Sequence, residues 1–184
     1  MRPPEVITTP RLLLRKPVVP DDAPRIFSAY AHDPDATHFL TWRPQRSAEE
    51  VLATLKLHAA CWADGSEYSW VLTTRTGGVL IGMISATPDR APWRFSLGYV
   101  LGRAFWNHGY MTEAVIGVTE TLLAQPGICR VSAVVDEENF ASMRVLEKAG
   151  MQREGLLQRW SLHPAISQLP RACWMFAKVA GSAR

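Results

Sequence analysis

The sequence predicts one α/β domain, of the α+β kind, with a mixed and mostly antiparallel sheet. Its 184 residues are 47% apolar, which is enough for one well-filled core and requires no second domain. Two β-rich runs, residues 68–74 and 79–86, flank a turn with two adjacent glycines and therefore predict an antiparallel hairpin. A strand, helix, strand order within residues 94–135 predicts one parallel pair joined by a right-handed crossover.

The charge pattern and the cysteines exclude several classes of partner. The net charge is +3 with both signs scattered along the chain, and no run of Lys or Arg could follow a nucleic-acid backbone. Cys61, Cys129 and Cys173 are odd in number and widely spaced, so we expect buried thiols in a reducing cytosol and no metal. The N-terminus has no secretory pattern, and no apolar run approaches the roughly 18 residues that span a bilayer. We therefore expect a soluble cytoplasmic protein without nucleic-acid or membrane partners.

The first third of the chain predicts a strand and two helices. Residues 11–16 form a strand bounded by prolines, and Asp21 or Asp22 is expected to cap the short helix that follows. The S-A-E-E run at the start of residues 47–63 is a capping box, and apolar residues at helical spacing continue from it. A long helix over residues 47–63 is therefore predicted.

Between these two helices lies an irregular segment, residues 32–46, with two prolines, two aromatic residues and mixed charge. It is too polar for a core and too aromatic for a plain linker. We interpret it as an ordered loop over a pocket. The alternative is a surface crossover with Phe39 and Trp42 tucked into the core.

The most informative stretch is residues 95–114, where an apolar strand leads through a linker of small residues into a helix that begins near Tyr110. The first turn of a helix leaves about four backbone N–H groups without intrahelical partners and carries roughly half a positive charge, so such a loop can hold a phosphate. Gly109 allows a positive φ or a close approach of the backbone to an anion. The alternative is that Gly109 is simply a turn residue.

The rest of the chain predicts three strands and a helix. A buried strand over residues 129–135 is followed by a helix that Asn139 can cap and that Gly150 ends. Two further strands, residues 155–162 and 171–179, are joined by a His-Pro loop.

Two segments resemble the acetyl-CoA-binding motifs of the GCN5-related N-acetyltransferase (GNAT) superfamily. They are FWNHGYMTEA (residues 105–114) and NFASMRVLEKAGM (residues 139–151), in the order and at the spacing of that family. The runs TPRLLLRKP, LHP and PRACWMFAKV resemble its RimJ/RimL-like branch of bacterial enzymes that acetylate ribosomal-protein N-termini. The resemblance covers nearly the whole chain. It implies one GNAT-like domain over residues 1–184, with about four helices around a sheet that splays between its fourth and fifth strands.

The resemblance also implies where acetyl-CoA binds. The coenzyme pyrophosphate is expected on backbone amides before the long helix, those of Asn107, His108, Gly109, Tyr110 and Met111, with a bond from the Thr112 hydroxyl. The pantetheine arm is expected along the edge of the fourth strand, at Leu97, Gly98, Tyr99, Val100 and Leu101. We expect Gly98 to mark a bulge that opens the cleft. The family usually has glycine where this chain has Asn107, and asparagine tolerates the left-handed backbone region better than most residues.

The implied chemistry is direct attack of an amine on the thioester, which needs an oxyanion donor, an acid for the thiolate and a neutral amine. Asn139 and Ser142 stand where related enzymes place groups near the thioester sulfur, although either could merely cap the helix. The base is harder to assign, because Ser96 occupies the position where related enzymes often carry glutamate. A water chain, His38 or Glu113 are the candidates, while a loop histidine such as His38 or His163 is typically a surface hydrogen-bonding residue.

The main prediction is therefore an acetyl-CoA-dependent N-acetyltransferase, with acetyl-CoA as co-substrate and no metal. A site without a strong base suits a peptide or protein N-terminal α-amine, since that amine is far easier to hold neutral than a lysine amine. The alternatives are a small-molecule acceptor, such as a polyamine or a drug, and an acyl-CoA-binding module without catalysis. A homodimer is included among the expected assemblies. The residues expected to line the acceptor side are His38, Phe39, Trp42 and Arg43.

Overall fold

An eight-stranded sheet with helices on both faces forms the frame of the protein in a computed structural model that describes residues 2–89 and 91–181. The strands are β1 (Val6–Thr8), β2 (Leu12–Arg15), β3 (Tyr68–Thr74), β4 (Leu80–Pro88), β5 (Arg94–Leu101), β6 (Arg130–Asp136), β7 (Gln152–Ser161) and β8 (Arg171–Val179). The helices are α1 (Asp22–Ile26), α2 (Pro34–Thr37), α3 (Ala48–Asp64), α4 (Tyr110–Leu123) and α5 (Phe140–Lys148). A π-helical turn, Phe27–Ala31, continues α1, and a 3₁₀ turn, Arg103–Phe105, follows β5.

The strand order is β1-β2-β3-β4-β5-β6-β8-β7, and every neighbouring pair is antiparallel except β5 and β6. The mixed sheet, the hairpin of β3 and β4, and the parallel pair of β5 and β6 joined through α4 are thus confirmed. The three-residue strand β1 was not predicted, so the predicted fourth and fifth strands are β5 and β6. No helix in the part of the chain that the structure describes is long and apolar enough to cross a bilayer.

The sheet opens between its two parallel strands. Pairing of β5 with β6 begins at Arg94 and Arg130 and stops at Leu97 and Ala133. Beyond that point β5 stays paired with β4 up to Leu101, and β6 stays paired with β8 up to its last residue. Each strand therefore follows its antiparallel partner, and the predicted splay is confirmed.

The predicted bulge at Gly98 is wrong. The β4–β5 ladder runs without a register shift from Phe95 to Leu101, and Gly98 pairs regularly with Ser85. The opening arises from the end of the parallel pairing alone, because the antiparallel ladder continues on the other side of β5.

The two faces of the sheet carry separate layers of helices. Helices α4 and α5 cover one face and α1 and α3 the other. The alternation along β3 shows the division, since Trp70 packs into the core under α4 while Val71 packs under α1 and α3. Both side chains have no exposed surface, and burying an apolar side chain of this kind is worth roughly 1.5–3 kcal/mol.

Helix α3 begins and ends as its sequence predicts. The Oγ of Ser47 accepts from the backbone N–H of Glu50 at 3.4 Å, and the Glu50 carboxylate accepts from the N–H of Arg46 at 2.8 Å. The reciprocal bond of the capping box is thus made one residue earlier than in its usual form. Gly65 ends the helix in the left-handed region, with φ +82°.

The prediction that an aspartate side chain caps α1 is wrong. Asp21 stands at the cap position, but its side chain makes no cap hydrogen bond. The carboxylate of Asp22 is buried and accepts from Nη1 and Nη2 of Arg15 at 2.6 and 2.8 Å. Burial opposes its ionisation, but the bonds from Arg15 and from the backbone N–H of Val18 outweigh burial and lower the pKa of Asp22.

Candidate active site

A cleft of about 1150 Å³ lies at the point where β5 and β6 separate. It runs from the start of α4 and α5 across the open end of the sheet to α3 and the segment around α2. The predicted site residues that line it are His38, Phe39, Trp42, Leu97, Gly98, Tyr99, Val100, Leu101, Asn107, Gly109, Tyr110, Met111, Thr112, Asn139 and Ser142. Two predicted site residues, Arg43 and His108, are exposed and are not part of the lining.

Residues 32–46, predicted either as a loop over a pocket or as a surface crossover with aromatic residues in the core, have features of both. The segment contains the single helical turn α2, so it is not wholly irregular. Phe39 lines the cleft, whereas Trp42 lines the cleft and also packs on the core under α1 and α3. The segment is thus at once a wall of the cleft and a cover for the core.

The loop before α4 has the backbone of an anion site. Asn107 and Gly109 both lie in the left-handed region, with φ of 62° and 76°. Gly109 occupies the cap position of α4, and no side chain caps this helix. The first-turn N–H groups of a 14-residue helix therefore face the cleft without a side-chain acceptor, which is the arrangement that binds phosphate. Asn107 replaces glycine without loss of the loop geometry, because asparagine tolerates this backbone region.

Arg11, which sequence reasoning missed, contacts this loop from outside the cleft. Its Nη1 donates to the backbone carbonyl of His108 at 2.9 Å, and its guanidinium lies 4.7 Å from the centre of the Tyr110 ring. Its Nε also donates to the carboxylate of Glu113 at 2.6 Å, a carboxylate that accepts from the Thr9 hydroxyl as well. The loop is therefore fastened to the β1–β2 hairpin.

These contacts place Glu113 outside the cleft, although it was one of the candidate bases. Burial raises the pKa of this carboxyl, but the bonds from Thr9 and Arg11 outweigh burial and lower it overall. A carboxylate held in this way is a weak base and faces the wrong side of α4. Its role is to fasten the start of the helix.

Of the two predicted catalytic residues, Ser142 contacts Tyr99 at the open end of the sheet, and Asn139 contacts Ser142. The Oη of Tyr99 lies 2.6 Å from the Oγ of Ser142. Asn139 caps α5, its Oδ1 accepting from the backbone N–H of Ser142 at 3.1 Å, and it also lines the cleft. Burial raises the pKa of Tyr99 despite the bond to Ser142, so the phenol stays protonated and can donate.

A buried polar cluster closes the cleft beside β6. Nε of Arg171 donates to Asp136 at 2.6 Å, and Nε2 of His163 lies 3.7 Å from the same carboxylate oxygen. The expectation of a surface role for His163 is wrong, since only 5% of it is exposed. Its Nδ1 has no hydrogen-bond partner and almost no accessible surface, although the residue forms part of the cleft lining.

Of the three cysteines, only Cys173 is buried as predicted, while Cys61 is half-buried and Cys129 is exposed. Burial, helped by the charge of nearby Asp136, raises the pKa of Cys173 to about 11. This thiol is therefore unreactive at neutral pH. Among the described residues, no group of three or more His, Cys, Asp or Glu side chains is arranged to hold a metal ion.

On the side of the cleft formed by α3, His58 and Glu67 form a pair that sequence reasoning missed. The Nδ1 of His58 lies 2.8 Å from Oε1 of Glu67, and the Ser69 hydroxyl donates to the same oxygen at 2.6 Å. Both members of the pair line the cleft. The signal in the sequence was a histidine at helical spacing within an otherwise apolar stripe, between Leu55 and Trp62.

A loop with the backbone of an anion site and a pair of hydroxyls thus line one cleft at an opening between parallel strands, an arrangement that suits an acyltransferase. Comparison with known families agrees. Residues 11–152 match the family model described as the acetyltransferase (GNAT) domain, and the chain belongs to this family.

Relatives and solved structures extend this result along the chain. The uncharacterized N-acetyltransferase YoaA of Bacillus subtilis is 29% identical over 159 residues, which cover 84% of this chain and 87% of YoaA. The structure is similar to Mycobacterium smegmatis RimJ in complex with CoA-disulfide, with a TM-score of 0.85, 20% identity and coverage of 98% and 90% of the two chains. It is also similar to a putative ribosomal-protein-serine acetyltransferase from Vibrio cholerae, with a TM-score of 0.80, 22% identity and coverage of 97% and 99%. The predicted superfamily and its fold are thus confirmed.

Proposed function

We propose that this N-acetyltransferase transfers an acetyl group from acetyl-CoA to the α-amine of a peptide or protein N-terminus, by direct attack in a ternary complex. The observation that carries the proposal is the Tyr99–Ser142 pair, with 2.6 Å between its oxygens, at the opening between β5 and β6. The pair shares one cleft with the uncapped start of α4, so a phosphate site and a proton donor face the same ligand.

Two parts of the chain suit acetyl-CoA. The amides from Asn107 to Met111, with the Thr112 hydroxyl, suit the pyrophosphate, and the uncapped helix gives them a favourable dipole. Beyond Leu97, the edge of β5 that faces β6 has lost its strand partner, so its N–H and C=O groups can bond the amides of the pantetheine arm. The neighbouring RimJ structure, which holds CoA-disulfide, supports this assignment.

The proposed reaction needs two proton transfers. The amine nitrogen forms a bond to the thioester carbon, and the carbon–sulfur bond breaks to release the thiolate. Ser142, bonded to Tyr99, gives a proton to the sulfur, while the attacking nitrogen loses a proton to a base. The thiol is already a fair leaving group, since a cysteine thiol has a pKa of about 8.5, so the acid assists the step without being indispensable.

The choice of an α-amine rests on the cost of keeping the acceptor neutral. A lysine amine with a pKa near 10.4 costs about 4.6 kcal/mol to deprotonate at pH 7, whereas an α-amine near 7.8 costs about 1 kcal/mol. Serine occupies position 96, so β5 supplies no carboxylate to offset the larger cost. The similarity to the putative ribosomal-protein-serine acetyltransferase from Vibrio cholerae supports the same choice.

Two measurements test the proposal. Acetyl-CoA at a hundredfold excess over its dissociation constant should stabilise the protein by about 2.7 kcal/mol, which a melting curve detects. Release of free CoA should then be followed with hexapeptides that carry a free N-terminal Ser or Ala, with the same peptides blocked by N-terminal formylation, and with spermidine. Turnover that requires the free peptide amine supports the proposal, and turnover of spermidine alone moves the acceptor to the small-molecule class. Stabilisation without turnover of any amine would identify a coenzyme-binding module.

A further inference from the structure

The pair formed by His58 and Glu67 has the chemistry that the coenzyme side of the cleft lacks. Of the two candidate bases, Glu113 lies outside the cleft, and His38 lines the cleft but has no carboxylate partner among the described residues to orient its ring. His58 lies on α3, Glu67 immediately precedes β3, and both line the cleft that contains Ser142. Roughly a quarter of each side chain is exposed, so both are reachable from the cleft.

The contacts of the pair determine which nitrogen of His58 carries the proton. The hydrogen bond with His58, opposed by burial and helped by the hydroxyls of Ser69 and Thr87, lowers the pKa of Glu67 and keeps it an anion. An anionic carboxylate only accepts, so Nδ1 of His58 donates to it across 2.8 Å. The lone pair of the neutral ring is then on Nε2, which has no hydrogen-bond partner among the described residues.

The register of the sheet places the pair near the opening between β5 and β6. Ser69 on β3 pairs with Ser85 on β4, which pairs with Gly98 on β5, the first residue beyond the parallel pairing. Ser69 and Gly98 are therefore two strand spacings apart, about 10 Å. The Ser69 hydroxyl is 3.0 Å from Nδ1 of His58, so the imidazole stands over one end of this row.

The row itself leaves room for an acceptor between the imidazole and the opening. Its three members are small, and both Ser85 and Gly98 line the cleft. Directly opposite residues of a ladder point to the same face, so the row belongs to the face that α1 and α3 cover. An amine that enters over Ser85 has His58 on one side and the open end of β5 on the other.

The same register relates Glu67 to Ser96, the position where related enzymes often carry a glutamate. Ser96 pairs with Thr87 on β4, and Thr87 is close enough to Glu67 to help lower the pKa of its carboxyl. Glu67 immediately precedes Tyr68, where the pairing of β3 with β4 begins, so its carboxylate lies at the end of the sheet that also holds Ser96. A negative charge is thus present near the position that lacks one, and the histidine on α3 connects it with the cleft.

We propose that His58 is the catalytic base of the acetyl transfer, and that Glu67 is the residue that positions it. Nε2 of His58 accepts the proton that the amine nitrogen loses as its bond to the acetyl carbon forms, and the imidazolium that results is stabilised by the Glu67 carboxylate. The proton that Ser142 gives to the thiolate comes from the other side of the opening, so acid and base act from opposite faces of the sheet. This inference rests on the proposed function, because it assigns a role within the same reaction.

The test compares three variants with the parent protein, at saturating acetyl-CoA, on a hexapeptide with a free N-terminal Ser or Ala. His58→Asn places an amide N–H near the position of Nδ1, where it can bond Glu67, but has no basic nitrogen, and we expect its kcat to fall by about 10²- to 10⁴-fold. Glu67→Gln loses the charge that orients the ring and should lower kcat by a smaller factor. His32→Ala is the control, because His32 is exposed and does not line the cleft.

The outcomes separate this inference from the proposed function. Turnover of the peptide by the parent tests the proposed function, whereas the ratio of variant to parent tests the role of His58. A large loss of kcat in His58→Asn, with acetyl-CoA affinity and melting temperature within experimental error of the parent, supports the base. A His58→Asn variant that turns over within threefold of the parent rate overturns it, since asparagine keeps a donor near the position of Nδ1 and has no basic nitrogen. A loss confined to the KM of the peptide also overturns it, because that result makes His58 a binding residue.

Discussion

The Oη of Tyr99 lies 2.6 Å from the Oγ of Ser142, although the two residues are 43 positions apart and belong to a strand and a helix on either side of the opening in the sheet. This bond joins β5, the strand that would guide the pantetheine arm, to the start of α5. It makes the two hydroxyls one hydrogen-bonded unit, in which Tyr99 can replace a proton that Ser142 gives away.

We therefore expect Ser142→Ala and Tyr99→Phe to lower kcat by about 10²- to 10⁴-fold for a general acid, with acetyl-CoA affinity nearly unchanged. Because the two groups act as one unit, the double variant should be little slower than the slower single variant. Steady-state kinetics with the peptide acceptor measures this. Ser132→Ala is the control, since Ser132 bonds the carbonyl of Phe95 and does not line the cleft. Additive losses in the double variant would show that the hydroxyls act separately.

Gly109→Val should weaken acetyl-CoA binding more than tenfold. The backbone of Gly109 has φ +76°, which a β-branched residue adopts only at a cost of about 1–3 kcal/mol, and its side chain would stand at the phosphate site. Isothermal titration measures the affinity. Gly78→Val in the β3–β4 turn is matched to it, because Gly78 also has a positive φ of 61° but has open space around it. Equal coenzyme affinity in the two variants would contradict a phosphate site at the start of α4.

Phe39→Ala should raise the KM of the peptide acceptor by about tenfold, with the melting temperature and acetyl-CoA affinity nearly unchanged. A tenfold change corresponds to a loss of about 1.4 kcal/mol of binding free energy between the acceptor and the Phe39 ring. Phe39 lines the cleft without belonging to either core. Trp42→Ala should raise the same KM and also destabilise the fold, because Trp42 packs on the core under α1 and α3. A Phe39→Ala variant with an unchanged KM and a lower melting temperature would assign the segment to packing alone.

Asp22→Asn should destabilise the protein by about 3 kcal/mol at pH 7, because it breaks a buried ion pair and leaves Arg15 without its carboxylate partner. The folded state lowers the pKa of Asp22, so its contribution is present above the unfolded value of about 3.9 and is lost as the pH falls through the folded value. The difference between variant and parent should therefore disappear in acid. Urea unfolding from pH 7 to pH 2.5 measures this, with the exposed neighbour in Asp21→Asn as control. A deficit that stays constant with pH would show that the charge of Asp22 is not its source.

The half of the cleft proposed to bind the coenzyme was predictable because its determinants are local. The small residues before α4, the cap at Asn139 and the end of α5 at Gly150 each depend on the backbone of a few consecutive residues. Such local preferences survive in any tertiary context, and the structure shows them at the expected positions. The resemblance to the GNAT motifs carried the same information.

The local rules were wrong where a long-range partner competed with them. An aspartate before a helix predicts a cap, but Asp22 is recruited by Arg15 on β2, which offers its carboxylate two charge-assisted bonds instead of one backbone N–H. Similarly, a glycine within a strand suggested a bulge at Gly98, whereas the continuous ladder with β4 keeps that strand regular.

By itself, the sequence determined the kind of fold, the loop and helix start that suit a phosphate, and the presence of Asn139 and Ser142 beside them. These features follow from short-range spacing of apolar, small and capping residues. Only the tertiary structure decided that Tyr99 bonds Ser142, that Glu113 faces away from the cleft, and that His58 meets Glu67 above the row from Ser69 to Gly98. The reason is physical: these relationships depend on strand register and on which face of the sheet a helix covers, and no local preference along the chain encodes either of them.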